Sequence, residues 1–292
     1  MEPFNYLIPF EIWNEIFLYC DFTTKIKLRQ VCRLFLNNMQ IFDFYNMGKR
    51  YCYSSILTDK ILENHKFIKY LNANSNPNII NVQNMKYLEQ LNANGTFCGI
   101  GQDNINNLNL IEFCACSNPK IKNVSFMSKL KVLFAFDSSI DQKGIIGLNL
   151  VRLNVGYNSL ITDVSWMKNL KELDACGSIC GIDQFGITGL NLIKLEAQHN
   201  SKIKNVSWMT NLRILNASEN CGIDQSGIKG LNLIQLNASD NPKIKNVSWM
   251  SNLRILNASE NCGIDKSGID GLNLIKLHTW NNTKYHVNSF NS

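Results

Sequence analysis

A long internal duplication constrains the fold of this chain more than any other feature. Residues 203–241 and 244–282 are identical at 31 of 39 positions, and a weaker pattern, L-x-x-L-x-A-x-x-N, extends the repetition towards the N-terminus. Two half-types alternate, so the genetic unit is a pair of about 41 residues. The first leucine-type position recurs every 20 to 22 residues, at Ile68, Leu88, Leu110, Leu130, Leu150, Leu170, Leu192, Leu212, Leu233, Leu253 and Leu274.

A repeat of this length predicts one coil of a solenoid. Side chains alternate along a strand, so Leu253, Leu256 and Ala258 are expected to point inward and Ile255 outward. One coil cannot enclose a core by itself, whereas stacked coils form a parallel sheet over a continuous column of leucines. The spacing therefore predicts an α/β solenoid of about eleven coils over residues 67–282, with the parallel sheet on its concave face.

Asparagine recurs at the turn that follows each predicted strand. A buried asparagine amide can satisfy backbone groups that the turn leaves open, so we expect the stacked coils to share an asparagine ladder. The predicted ladder positions are Asn76, Asn118, Asn158, Asn200, Asn220, Asn241, Asn261 and Asn282. The recurring Trp166, Trp208 and Trp249 are predicted to pack against the next convex turn.

Residues 1–45 do not repeat and predict three short helices. Apolar residues follow helical spacing from Pro9 to Cys20, Asp21 offers N-cap chemistry for a second helix, and a third helix runs from Leu34 to Met39. Helices this short bury little surface alone, so we expect the module to need a partner. Residues 46–66 are predicted to link the modules and cap the first coil, and residues 283–292 to form a C-terminal tail.

Both modules resemble known families. The segment Ile264–Leu272 resembles the return segment of leucine-rich repeats in their cysteine-containing variant, although alanine replaces the usual leucine at the third sheet position. Residues 7–12 (Leu-Ile-Pro-Phe-Glu-Ile) and 31–35 (Val-Cys-Arg-Leu-Phe) resemble the F-box consensus, with Ile8 as an insertion. This arrangement resembles that of F-box/leucine-rich-repeat proteins, and the composition resembles members encoded by giant amoebal viruses.

The resemblance implies a substrate-recognition subunit of an SCF-type E3 ubiquitin ligase. In that family the F-box docks on a Skp-type adaptor, a cullin carries the conjugating enzyme, and the repeats hold a protein target, which is unknown here. Two alternatives stay open: a leucine-rich-repeat scaffold outside any ligase, and a competitor that occupies the host adaptor. By motif position the adaptor-binding residues, or those supporting that face, are Leu7, Pro9, Ile12, Ile16, Phe17, Val31, Cys32 and Phe35.

Composition and motifs narrow the function further. A net charge of +6 with no separate basic domain does not indicate nucleic-acid binding. The chain has neither an apolar run of about eighteen residues nor a secretory signal, so we expect no membrane span and a cytoplasmic protein. Ten cysteines without a leader predict reduced thiols. Catalytic, phosphate-binding and metal-ligand patterns are missing, so we expect no enzymatic activity, cofactor or metal.

The outward strand positions define the surface open to a partner. Most are polar, as at Asn154, Ser218 and Ser259. Two adjacent repeats instead present apolar residues, and Arg152 flanks them in the next repeat. An apolar patch on a polar sheet is typical of a binding site, although a covering loop or sequence drift would explain it equally well. The predicted substrate-binding residues are Cys114, Cys116, Val132, Phe134, Phe136 and Arg152.

Overall fold

The computed structural model describes residues 8–45, 47 and 56–286. The N-terminal module contains three helices, α1 (Phe10–Tyr19), α2 (Phe22–Val31) and α3 (Arg33–Asn38). Pro9 is the N-cap of α1, and the Asp21 carboxylate caps α2 by accepting a hydrogen bond of 2.8 Å from the backbone N–H of Thr24. The three predicted helices and the Asp21 cap are therefore confirmed.

The chain divides into two compact units, residues 1–113 and 114–292. The first unit holds the three helices and the start of the repeats, and the second holds the later repeats. The strands are β1 (Asp43–Phe44), β2 (Tyr70–Asn72), β3 (Gln90–Asn92), β4 (Glu112–Cys114), β5 (Val132–Phe134), β6 (Arg152–Asn154), β7 (Glu172–Asp174), β8 (Lys194–Glu196), β9 (Ile214–Asn216), β10 (Gln235–Asn237), β11 (Ile255–Asn257) and β12 (Lys276–His278).

Strands β2 to β12 fall one to each predicted repeat, so the parallel-sheet solenoid is confirmed. In the first unit β1, β2 and β3 pair in parallel, and in the second unit each strand from β5 to β12 pairs in parallel with the next. The sequence did not predict β1, which lies inside the segment assigned to the F-box and pairs Phe44 with Leu71.

Short helices occupy the return side of several coils. The α-helices are α4 (Asp59–Leu62), α5 (Gln102–Ile105) and α6 (Thr283–His286), and single 3-10 turns span Lys143–Ile145, Phe185–Ile187, Ser226–Ile228 and Ser267–Ile269. Helix α4 lies on the first coil, because the Asp59 carboxylate accepts hydrogen bonds from the N–H of Ile80 at 2.9 Å and the side chain of Asn81 at 2.8 Å.

The core follows the predicted alternation. In β11 the side chain of Leu256 is fully buried between the half-exposed Ile255 and Asn257, and Leu253 and Ala258 are buried as expected. Burial of each such leucine contributes about 1.5–3 kcal/mol. The buried leucines of neighbouring coils therefore stabilise the solenoid, and each additional coil adds to this buried apolar surface.

The asparagine ladder holds in alternate coils. Asn200 is fully buried, and its Nδ2 donates to the carbonyl oxygens of Ala175 at 2.8 Å and Ile182 at 3.0 Å in the preceding coil. Asn241 and Asn282 are buried too and donate in the same way. Each of these asparagines ties its own coil to the one before it.

The prediction was wrong for Asn220 and Asn261, which are exposed. The buried turn positions of their coils are taken by Cys221 and Cys262. In the first of these coils Glu219 and Asn220 both adopt left-handed conformations, with φ of 55° and 54°. At this turn of the second coil Glu260 alone is left-handed, with φ of 58°, and Asn261 is exposed as well.

A glycine after each of these cysteines explains the two-coil genetic unit. The N–H of Gly222 donates to the carbonyl oxygen of Asn200 at 3.0 Å, and Gly181 donates to Asn158 at 2.8 Å. A Cβ at Gly222 would lie 2.4 Å from the carbonyl oxygen of Ile203. A coil with a buried asparagine (an asparagine coil) and a following coil with this glycine (a glycine coil) are therefore complementary across one backbone contact.

Trp208 and Trp249 pack against a different turn from the one predicted, while the indole nitrogen of Trp166 is buried without a hydrogen-bond partner among the described residues. The indole nitrogen of Trp208 donates to the carbonyl oxygen of Leu190, and that of Trp249 donates to Leu231, each at 3.0 Å. Both acceptors belong to the preceding convex turn, not the next one. The indole of each therefore points back along the solenoid, towards the carbonyl of a buried leucine.

Candidate functional site

The helical module has a small aromatic core. Phe17 and Phe35 are 3% exposed and Met39 is fully buried, and the rings of Trp13 and Phe35 pack with centroids 5.4 Å apart. Two of the predicted adaptor-binding residues, Phe17 and Phe35, therefore support the helices from inside instead of presenting a surface.

The other described members of the predicted set lie further out. Ile12 is 49%, Ile16 40% and Val31 68% exposed. Pro9 is exposed and Cys32 is half-buried, while Leu7 lies outside the described residues. The structure thus divides a single sequence motif into a core set and a surface set.

Sequence reasoning missed further apolar residues on the surface of this module. Tyr19 is 89% exposed, and Leu18, Leu34 and Leu36 are exposed as well. The signal for Tyr19 was its helical spacing, because it follows Ile12 by seven residues and so shares a face with it. An apolar helical surface of this extent is typical of a protein-binding face.

A buried Arg29–His65 pair joins helix α2 to the segment before the first coil. Nη1 of Arg29 lies 2.6 Å from Nε2 of His65, and Nη2 donates to the carbonyl oxygen of Leu36 at 2.8 Å. The imidazole packs edge-on against Phe44 at 4.9 Å. Burial, together with the charge of Arg29, lowers the pKa of His65 to about 4, so His65 is neutral and accepts a hydrogen bond from the arginine.

The predicted substrate-binding residues come together on the sheet of the second unit. Val132, Phe134 and Phe136 are half-buried, as are Cys114 and Cys116. Backbone hydrogen bonds of 2.8 Å from Ala115 to Phe134 and 2.9 Å from Ser117 to Phe136 set the two rows side by side. We call the set Cys114, Cys116, Val132, Phe134 and Phe136 the apolar patch.

Aromatic contacts hold the patch in place. The Arg152 guanidinium lies 5.4 Å from the centroid of the Phe134 ring, and the rings of Phe136 and Tyr157 pack at 5.3 Å. A Cβ at Gly156 would lie 2.9 Å from the Phe136 ring, so this ring fits closely over the glycine. The patch is therefore bounded and preorganised.

The two patch cysteines do not form a reactive pair. Their Sγ atoms lie 3.5 Å apart, and the hydrogen bond from Cys114, followed by burial, raises the pKa of the Cys116 thiol. Burial likewise raises the pKa of Cys180 and of Cys221 to about 11. A protonated thiol is a weak nucleophile and a weak metal ligand, so these cysteines act by packing.

The remainder of the concave face needs one correction. Ser218 is 1% and Ser259 8% exposed, although both were expected to face outward. Ser218 Oγ instead donates to the side chain of Asn216 at 2.8 Å. The polar strand surface therefore consists of asparagines such as Asn216 and Asn237 together with charged residues such as Glu172 and Lys194.

Carboxylates line a depression next to the apolar patch. Its lining includes Phe134, Arg152, Glu172, Asp174, Lys194 and Glu196. Arg152 pairs with Glu172 at 2.9 Å and Lys194 with Glu196 at 3.0 Å. Asp174 accepts hydrogen bonds from Asn154 Nδ2 at 2.9 Å and from the Cys176 N–H at 3.1 Å, and burial raises its pKa.

The described residues show neither a metal-binding cluster nor a membrane-spanning helix. No cluster of three or more His, Cys, Asp or Glu side chains able to hold a metal ion occurs in residues 8–45, 47 and 56–286. Within those same ranges, every helix is too short or too polar to cross a bilayer.

Comparison with known proteins identifies the N-terminal module. The model of the F-box domain matches residues 6–46, the segment that contains α1, α2, α3 and β1. The chain therefore carries an F-box domain followed by a solenoid of parallel strands. No curated protein matches the chain.

Proposed function

We propose that this protein is the substrate-recognition subunit of an SCF-type E3 ubiquitin ligase. The F-box domain docks on a Skp-type adaptor, and the solenoid binds the protein to be ubiquitinated. The observation that carries the proposal is the F-box match at residues 6–46 together with the exposed apolar side chains on its helices.

The adaptor contact is assigned to the exposed part of the motif. Pro9, Ile12, Ile16 and Val31 face solvent, so they are available to a partner without unfolding the module. Burial of each large side chain by the adaptor contributes about 1.5–3 kcal/mol to binding. Phe17 and Phe35 contribute indirectly by fixing the helices.

The protein itself performs no chemistry in this proposal. It raises the effective concentration of target lysines near the conjugating enzyme that the cullin carries. Such a role depends on a defined geometry, and the Arg29–His65 pair supplies part of it by fixing α2 to the segment before the first coil. The apolar patch and Arg152 are assigned to target binding.

Purification from eukaryotic cells tests the adaptor contact. The tagged wild-type chain is expected to bring down a Skp-type adaptor and a cullin. The variant Pro9→Ala with Ile12→Asp is expected to lose both, while Ile179→Asp, a change at a similarly exposed isoleucine of the solenoid, retains them. Equal recovery of the adaptor by both variants would refute the assignment.

The two alternative functions are separate outcomes of the same experiment. A scaffold outside any ligase recovers neither adaptor nor cullin. A competitor for the host adaptor recovers the adaptor, yet supports no ubiquitination of proteins bound to the repeats. The cytoplasmic location and the likeness to members encoded by giant amoebal viruses stay predictions.

A further inference from the structure

The apolar patch and the carboxylate depression beside it form one surface with two kinds of contact. Phe134 borders both, because its ring belongs to the patch and also lines the depression. Phe134 lies in β5, Arg152 in β6 and Asp174 in β7. Crossing the strands in this direction therefore leads from an apolar contact to an acidic one.

The charges of the depression do not balance. Three carboxylates, on Glu172, Asp174 and Glu196, face two cations, on Arg152 and Lys194. Each cation already pairs with a carboxylate other than Asp174. Asp174 accepts hydrogen bonds from Asn154 Nδ2 and from the N–H and thiol of Cys176, and Lys194 attracts its charge, although no direct ion pair to Asp174 occurs among the described residues. The depression therefore has an excess negative charge at a partly buried position.

A half-buried carboxylate of this kind favours a cation from outside. Burial raises the pKa of Asp174 because it holds the charge away from water, and this outweighs the hydrogen bonds from Cys176; Glu196 repels the charge while Lys194 attracts it. The same excess charge disfavours the phosphates of a nucleic acid. A basic side chain of a protein partner would both neutralise Asp174 and cover the depression.

Strand geometry sets the spacing of the two contacts. Neighbouring strands lie about 4.8 Å apart, so β5 and β7 are separated by about 10 Å. An extended peptide in the polyproline II conformation advances about 3.1 Å per residue with three residues per turn, so side chains three residues apart lie on the same face and span that distance.

We infer that the solenoid binds an extended segment of its target in which an aromatic or large aliphatic residue contacts Phe134 and Phe136, and an arginine or lysine three residues along contacts Asp174. This inference rests on the proposed function, since it specifies the target class of the same surface.

Peptide pools test the spacing and the charge. Fluorescein-labelled pools of decapeptides carry Phe at position 4 and either Arg or Gln at position 7, with mixed residues elsewhere, and fluorescence anisotropy measures their binding to the full chain. The Arg pool is expected to bind about five- to tenfold more tightly than the Gln pool, as for a close charge pair. Moving Arg to position 5 removes the preference.

Two variants locate the contact. Asp174→Asn keeps the size and acceptor oxygen of the side chain and is expected to abolish the Arg preference. Asp270→Asn serves as the matched control, because it makes the same change at an exposed carboxylate outside the depression, so the preference persists. Circular dichroism checks that both variants are folded.

Several results would overturn the inference. They are equal binding of the Arg and Gln pools, an Arg preference that survives Asp174→Asn, or dissociation constants above about 1 mM for every pool. Self-association of the chain blocked by Phe134→Ser would assign the surface to a second copy instead. Adaptor recovery from cells is measured separately, so failure of the peptide preference with intact adaptor binding refutes this inference alone.

Discussion

Acidification is expected to destabilise the first unit through a single residue, His65. The folded protein holds its pKa at about 4, against 6.5 for an unperturbed histidine. Below pH 6.5 the unfolded chain binds a proton that the folded chain binds only near pH 4. Stability therefore falls as the pH drops through this window, and the loss is complete below the folded pKa.

The size of the effect follows from the two pKa values. One pKa unit corresponds to about 1.4 kcal/mol, so the linkage predicts a loss of about 2.5 kcal/mol between pH 7 and pH 4.5. His65 is only 6% exposed, and the adjacent Arg29 charge opposes protonation. Little solvent screening is therefore expected to reduce this value.

Comparison with His65→Gln isolates this contribution from the titration of carboxylates. Glutamine retains an acceptor for Arg29 and does not titrate. Urea unfolding of both proteins by circular dichroism, from pH 7 to pH 4.5, is expected to show a steeper decline for the wild type by about 2.5 kcal/mol. His278→Gln, at an exposed histidine, is the control and should follow the wild type. Parallel curves for wild type and His65→Gln would refute the buried neutral histidine.

Two substitutions test how the coils are joined. Asn200→Ala removes three hydrogen bonds and leaves two buried carbonyls unsatisfied. We therefore expect a loss of about 2–4 kcal/mol in urea unfolding, against less than about 0.5 kcal/mol for Asn261→Ala at an exposed asparagine. Equal losses would contradict the alternating ladder. Gly222→Ala places a Cβ 2.4 Å from a carbonyl oxygen. It should therefore lower the melting temperature more than Gly230→Ala does, because Gly230 has φ of 77° but nothing within 4 Å of an added Cβ. The reverse order would contradict the close backbone approach at Gly222.

The alternating coils have a consequence for the evolution of the chain. The carbonyl oxygen of Asn158 accepts a hydrogen bond from the N–H of Gly181 in the next coil. Asn200, one coil further on, donates in turn to the carbonyl oxygen of Ala175 in that glycine coil. Neither half-type stacks on itself in this way. Duplication of the pair therefore preserves the contacts between coils, which is consistent with the near-identity of residues 203–241 and 244–282.

The repeat strands and the alternation of inward and outward residues could be predicted from the spacing of residues along the chain. The spacing of 20 to 22 residues placed the repeat strands, and the two-residue alternation placed Leu256 inside and Ile255 outside, because both patterns depend on neighbours in sequence. The F-box motif was equally local, since its fixed spacings lie within about forty residues. The apolar patch followed from the same alternation.

Tertiary structure decided what depends on contacts between distant residues. Whether an asparagine or the next cysteine is buried at a turn depended on packing within the stacked coils, as at Asn220 and Cys221. The division of the F-box motif into buried Phe17 and exposed Ile12 required the packing of three helices. The Arg29–His65 pair joins residues 36 positions apart, a separation over which no local pattern acts, so only the folded chain reveals it.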